Sequence, residues 1–280
     1  MERIIKKILS NIFYFIRKLF CTLEWAIKIF YGTDLRNHIE FVENARILSI
    51  LANGPSLKEE LDTIDLKNGD FMVVNDFCKS SLFQQIKPKY YVLADPWYFD
   101  NPEIFVLLQE KVLWKMQLFI PFWAWRKLFL KKQFLNEHVQ IIPFITFNYN
   151  GFELLKYWIY NHGLSMPAAK NVLVPSIFCG INMGYEQIRL YGVDHSWTES
   201  IRVNSKNEVC QIDTHFYDSE KQCLKPWKKS SGEQYQMHEV LIDLGETFRS
   251  YHQILKYASY KNCKIINYTK KSYIDAFIRA

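Results

Sequence analysis

The 280-residue chain has six cysteines but no C-x-x-C pair, no uninterrupted apolar run of the kind that crosses a bilayer, no G-x-G-x-x-G and no G-x-x-x-x-G-K-S/T. Each absence removes a class. Without paired cysteines, a zinc ribbon or a thioredoxin-type motif is not indicated, and thiols scattered through a chain of this size read as reduced, cytosolic cysteines. A spanning helix needs about 20 mostly apolar residues, and charges interrupt every apolar run near the N-terminus, where no small-residue cleavage site follows either. Without the two glycine motifs, neither a dinucleotide fingerprint nor a Walker phosphate loop is present. Internal repeats and low-complexity linkers are missing, as are RRM, zinc-finger and helix-turn-helix patterns.

What remains is the composition of a globular protein, 49% hydrophobic and 23% charged, long enough for one full core plus an appendage. Aromatic residues make up 16%; they serve cores, sugar-stacking sites and membrane interfaces alike. The net charge of +6 is uneven, with Lys6, Lys7, Arg17, Lys18 and Lys28 in one cluster and Arg126, Lys127, Lys131 and Lys132 in another. Both lie among Phe, Trp, Ile and Leu, which favours an anionic lipid surface over a nucleic acid. Within residues 1–34, Ile4, Ile5, Ile8, Ile12, Ile16, Leu19, Leu23 and Ile27 recur at helical spacing. That pattern predicts an amphipathic helix on a membrane surface, and with it a cytoplasmic protein, peripheral on the inner face of the cytoplasmic membrane.

From residue 35 onward the pattern is that of one Rossmann-like α/β domain, a mostly parallel sheet with helices on both faces. Apolar runs at 46–52, 71–75, 90–94, 117–121, 139–143, 188–193 and 264–268 predict strands. Helices are predicted near 77–85, 102–114, 123–136, 152–162, 177–184 and 235–260. Residues 195–232 break the alternation. Two short β-rich runs, 201–203 and 209–212, flank a polar turn and predict a hairpin, and 228–232 reads as mobile. A long excursion after a core strand is where a substrate lid belongs.

Polar residues close several of these strands. Asn53-Gly54-Pro55-Ser56 follows the first, with Gly54 able to let backbone approach a ligand. Ser56 and Glu59 are placed to cap the next helix and make its N-terminus an anion site. Asn75 ends the second strand and Asp95 the third, while Ser176 enters an apolar helix and Asp194 closes a late strand. Ligands of open α/β sheets bind beyond the carboxyl ends of strands, so these tips predict a nucleotide cleft.

The run ILANGPSL, the strand ends at Asn75 and Asp95-Pro96, the Pro175-Ser176 helix entry and GYEQIRLYGVD together resemble the bacterial sialyltransferases of glycosyltransferase family 42, and the wider set of MptE-like domains, over about residues 46–280. That resemblance implies a Rossmann-like fold and a sialyltransferase-like enzyme. Such an enzyme moves sialic acid, Kdo or a related sugar from a CMP-sugar to a hydroxyl of a surface glycan or glycolipid such as lipopolysaccharide, with no cofactor or metal. By motif, Asn53, Gly54, Pro55, Ser56, Asn75, Asp95, Ser176 and Asp194 would hold the donor, with Asp95 where the family carries asparagine. Tyr217 would be the candidate for the leaving phosphate, and His238, before the C-terminal helix, the base. His195 and His215 flank the hairpin and are alternatives to His238, whereas His252 reads as structural. Inverting displacement needs such a base, and an imidazole suits it. Two other readings stay open. One is a pyrophosphokinase or phosphotransferase using ATP and Mg²⁺, with Asp95 and Asp194 as its carboxylate pair. The other is a non-catalytic binding module of polysaccharide assembly. Oligomerisation is left open.

Overall fold

The computed structural model describes residues 2–32, 38–66, 68–101, 103–131, 136–212, 224–229 and 232–280. All seven runs predicted as strands form them: β1 (Ile47–Leu51), β2 (Asp70–Val74), β3 (Tyr90–Val92), β4 (Met116–Pro121), β5 (Val139–Phe144), β6 (Gln187–Tyr191) and, late in the chain, β10 (Lys264–Asn267). Between β6 and β10 lie the short helix α9 (Trp197–Ser200), β7 (Ile201–Val203), β8 (Val209–Ile212) and β9 (Leu224–Pro226), and β11 (Ile278–Arg279) follows β10. The main sheet has eight strands in the order β11-β10-β6-β1-β2-β3-β4-β5, and every neighbouring pair is parallel. This is the α/β, Rossmann-like fold the alternation predicted.

Alternate residues of each strand enter separate cores, as the period-2 geometry of a strand requires. Ile50, Met72, Val74, Tyr90 and Val92 pack on one face with helices α7 (Glu153–Asn161), α8 (Leu173–Asn182) and α10 (Met237–Tyr260). Leu51, Phe71, Val73, Tyr91 and Leu93 pack on the other. The helices there are α2 (Leu57–Glu60), α3 (Leu82–Ile86), α4 (Trp97–Asp100), α5 (Glu103–Lys111) and α6 (Phe122–Lys131). The buried cysteines are free thiols; burial pushes the Cys263 thiol up to about 12 and raises Cys179 as well. Cys223 lies outside the described residues.

Four expectations are corrected. The helix expected at 177–184 starts at Leu173, because Pro175 sits in its first turn, where a missing N–H leaves no bond unmade. The helix expected at 77–85 is split into a 3₁₀ turn, Asn75–Lys79, and α3 by an extended Ser80 (φ −76°, ψ 146°). The run 228–232, expected to be mobile, is tied down in its described part. Lys228 bridges to Gln234, the Lys229 amide donates to Glu233 O at 2.8 Å, and the Lys229 ammonium lies 2.5 Å from Glu239 at the start of α10. Finally, the predicted hairpin β7–β8 gains a third strand, β9, to make a separate antiparallel sheet.

Helix α1 (Glu2–Gly32) docks along one stripe only. The Lys18 ammonium donates to Asn150 O at 2.9 Å, the Thr22 hydroxyl meets the Tyr149 hydroxyl at 3.0 Å, the Trp25 indole donates to Leu164 O at 3.2 Å, and Ile29 is buried. The spacing 18, 22, 25, 29 is one helical face. The apolar residues predicted to form the amphipathic stripe, Ile5 through Ile27, stay exposed. No helix among the described residues is long and apolar enough to cross a membrane.

Candidate functional site

The chain lays down β1 to β5 in one direction and then returns to the other side of β1 with β6. The loops leaving β1 and β6 therefore diverge into opposite halves of the sheet, which is the switch point where open α/β sheets bind ligands. A cavity of about 530 Å³ opens there, lined by Asn53, Gly54 and Pro55 after β1, Asn75 and Asp76 after β2, Asp95 after β3, and Asp194 and His195 after β6. Residues 169–173 form its far wall, and Trp197, Glu199, Ser200, Arg202 and Ile212 of the 195–232 excursion reach it too. Its size falls within the roughly 300–1,000 Å³ of small-molecule sites.

Two asparagines of this lining have incomplete hydrogen bonding, as does Asp76 at Oδ1. Asn53 is buried, and its Nδ2 donates to Val74 O at 3.1 Å, which fixes the amide orientation; its Oδ1 is buried with no partner. Asn75 Oδ1 is likewise buried and unpartnered, on a residue held at φ 48°, a left-handed conformation that asparagine tolerates better than most. Buried polar atoms in native proteins are nearly always satisfied. Two amide oxygens lacking donors, on residues that line the same cavity, match a ligand that presents hydroxyl or amino hydrogens.

The predicted phosphate site is built otherwise. Gly54 does not make room for a ligand: a Cβ there would lie 1.8 Å from Asp194 Oδ2 and 2.4 Å from Gly192 O. The Gly54 amide donates to that same Gly192 carbonyl at 2.9 Å, continuing the β1–β6 pairing past the strand ends. The expected capping box at Ser56 is not formed. The Ser56 hydroxyl donates to Asp194 Oδ2 at 2.8 Å and its amide to Oδ1 at 3.3 Å, while Glu59 pairs with Lys270 at 2.6 Å. The protein's own carboxylate thus occupies the anion position. Burial raises the Asp194 pKa against the lowering effect of those Ser56 bonds. Ser176 also stays out of the cavity, being fully buried inside α8 with its hydroxyl donating to Val172 O at 2.7 Å. Asp95 is on the rim, where Oδ1 accepts the Trp97 amide at 2.9 Å and so starts α4.

Of the histidines, only His195 among the described residues lines this cavity. His238 is exposed in the first turn of α10 and outside it. His252 is exposed and lies 3.1 Å from Asp275. His215 and Tyr217 fall outside the described residues.

His195 ends a relay that no local motif announces. Asn171 Oδ1 accepts the Leu173 and Val174 amides at 3.0 and 3.2 Å, capping α8. That orients Asn171 Nδ2 to donate to the Tyr251 hydroxyl at 2.7 Å, and the hydroxyl is hydrogen-bonded in turn to His195 Nε2, also at 2.7 Å. In the tautomer with its proton on Nδ1, Nε2 accepts that hydroxyl's hydrogen. Burial holds the His195 pKa down to about 4, against a smaller raising effect of its bond to the Val193 backbone. Glu60, also unanticipated, is buried and clamps the rim from below, accepting the Gly192 and Lys270 amides at 2.9 Å each.

A pH dependence follows. The unfolded ring titrates near 6.5 and the folded one near 4, so between those values the unfolded chain binds more protons. Stability from this group is full above pH 6.5 and is lost as pH falls toward 4, by ~3 kcal/mol at most. Asp194 acts in the opposite sense. Denaturant melts at pH 7 and 4.5 isolate His195: the drop is expected to shrink in His195→Asn, and an unchanged drop would place the ring in solvent instead.

No family model matches the chain, and no curated protein does. Among solved structures the chain is similar to the MAf glycosyltransferase from Magnetospirillum magneticum AMB-1, with 11% identity and a TM-score of 0.50 over 89% of this chain and 35% of that one. It thus spans about a third of that protein's length. A second similar structure is the alpha-2,3-sialyltransferase from Campylobacter jejuni in apo form, with 14% identity and a TM-score of 0.31 over 88% of this chain and 83% of that one. The first likeness shows a shared fold.

Proposed function

We propose that this chain is a glycosyltransferase, sialyltransferase-like, that binds a nucleotide-activated sugar in the switch-point cavity and transfers the sugar to a hydroxyl of a glycan or glycolipid. The observation that carries the reading is the pair of buried, unpartnered oxygens, Asn53 Oδ1 and Asn75 Oδ1, on residues that line a 530 Å³ cavity at the carboxyl ends of a parallel sheet. Ribose and sugar hydroxyls, or a base amino group, are the donors such acceptors need. A CMP-sugar, sialic acid or Kdo included, is the donor class we favour, and inverting displacement without a cofactor the mechanism. The excursion whose residues line the mouth would act as the lid.

His195 is the histidine best placed for the acceptor's proton. A ring with a pKa of about 4 is a weak base, and Tyr251 holds its lone pair. Taking a proton requires that hydroxyl to release Nε2, and an anionic donor beside the ring would raise its pKa toward the useful range. Exposed α1 residues such as Phe13 and Phe20, with Lys6, Lys7 and Arg17 beside them, support a peripheral place on an anionic, cytoplasmic membrane face.

Four carboxylates also line the cavity: Asp76, Asp95, Asp194 and Glu199. They are what a cation-bound triphosphate would use, as in the phosphotransferase reading with ATP and Mg²⁺. Thermal unfolding with a panel of nucleotides and nucleotide-sugars tests both, since a ligand of the folded state raises its melting point. Stabilisation by a CMP-sugar is expected; stabilisation by ATP with Mg²⁺ alone would overturn the transferase reading in favour of phosphotransfer. Binding without transfer to any glycan would leave a binding module. Once turnover is measured, His195→Asn is expected to lower kcat and His238→Ala to leave it unchanged; the reverse result would restore His238 as the base.

A further inference from the structure

A second cavity lies between α1 and the middle of α10. It measures about 400 Å³ and is lined by Arg17 and Lys18 of α1, Asn150 of the loop after β5, and Glu246 and Arg249 of α10, among others. Three of its side chains are cationic. Lys18 is bonded to Asn150 O, whereas Arg17 and Arg249 have no carboxylate or hydrogen-bond partner among the described residues. The one carboxylate in the lining, Glu246, already lies 3.1 Å from Lys170. The groove therefore presents two unneutralised guanidinium groups, whose forked donors suit phosphate oxygens.

Its surroundings identify the kind of phosphate. Arg17 shares its helical face with Phe13 and Phe20, at i−4 and i+3, and these are 70% and 68% exposed. Ile16 and Leu23 beside them are exposed as well. A charged groove bordered by a bare apolar stripe is the complement of an amphiphile.

We propose that this groove binds the phosphate headgroup of an anionic phospholipid, with Arg249 reaching it from the catalytic domain while the acyl chains lie against Phe13 and Phe20. The inference rests on the membrane-surface reading of α1 and sharpens it. The helix is not merely adsorbed; a headgroup bridges it to α10 and so sets how the domain sits on the bilayer. A soluble phosphate ester would use the same guanidinium groups, so the test separates the two.

The full chain is sedimented with vesicles of phosphatidylcholine alone and of phosphatidylcholine mixed with phosphatidylglycerol. Arg249→Gln leaves α1 and its apolar face intact and changes an exposed residue of α10. The wild type is expected to prefer the mixed vesicles, and the variant to bind them about fivefold more weakly, the value of one arginine near an anionic surface, with binding to phosphatidylcholine unchanged. Equal binding of both proteins to the mixed vesicles overturns the headgroup site and leaves α1 adsorption standing. If neither protein binds any vesicle, the lipid proposal and the membrane reading fall together. If glycerol phosphate then raises the melting point of the wild type but not of Arg249→Gln, the ligand is a soluble phosphate ester instead.

Discussion

Gly54→Ala is expected to destabilise the protein by about 4 kcal/mol or more, enough to leave it largely unfolded or insoluble, since domains of this kind are stable by only about 5–15 kcal/mol. The added methyl would stand 1.8 Å from Asp194 Oδ2, 2.4 Å from Gly192 O and 2.9 Å from Asp194 Cγ. Asp194 is a flexible side chain and alone could swing aside. Gly192 O is backbone, held by the Gly54 amide at 2.9 Å, and Gly192 itself is anchored through its own amide to buried Glu60. Moving it would pull β1 and β6 apart at the centre of the sheet. Combining Gly54→Ala with Asp194→Ala is therefore expected to give no rescue. Chemical denaturation measures both proteins, and recovery in the double variant would show that the carboxylate, not the carbonyl, sets the requirement for glycine.

The second large effect is on binding. Asn75→Gly is expected to leave the melting temperature of the free protein within a degree or two of wild type, and to weaken nucleotide-sugar binding by about tenfold to a hundredfold. Glycine accepts the φ of 48° at this position without strain. Asn75 Oδ1 has no protein partner to lose, and the Asn75 carbonyl that accepts the Tyr91 hydroxyl is backbone and survives the change. What disappears is the one unpartnered acceptor of a cavity-lining side chain, the equivalent of one to two hydrogen bonds to a ligand. Isothermal titration with the best ligand of the nucleotide-sugar panel reads the affinity directly. Unchanged affinity would move the ligand off this wall of the cavity. Asn53 is the less clean probe, because its Nδ2 also holds Val74 O, and its loss would disturb the fold and the site together.

Much of the fold was legible because it is written locally. Short apolar runs such as ILSIL and DFMVV, buried on both faces, are the mark of central parallel strands, and the residue after each run falls at the carboxyl rim. Asn53, Asn75, Asp95 and Asp194 were found that way and do line one cavity. The hairpin at 201–203 and 209–212 was legible for the same reason. Strand β11 was not, since two residues carry no periodicity, and its pairing with β10 is supplied by the returning chain end. Ser56 and Ser176 were read as a helix cap and a helix entry, yet the Ser56 side chain makes no cap bond, Ser176 lies within α8, and neither lines the cavity.

Strand positions, face alternation and the polar rim were thus determined by the amino-acid order alone, because each depends on neighbours within a few residues. Which polar group meets which was decided only by the tertiary structure. Asp194 takes both donors of Ser56, 138 residues away, and Tyr251 reaches across 56 residues to quiet His195 and across 80 to Asn171. A hydrogen bond is specific to within tenths of an ångström, and that separation is set by how β1, β6, α8 and α10 pack. The same packing closed the expected phosphate position with a carboxylate and left the buried oxygens of two cavity-lining asparagines without a protein partner.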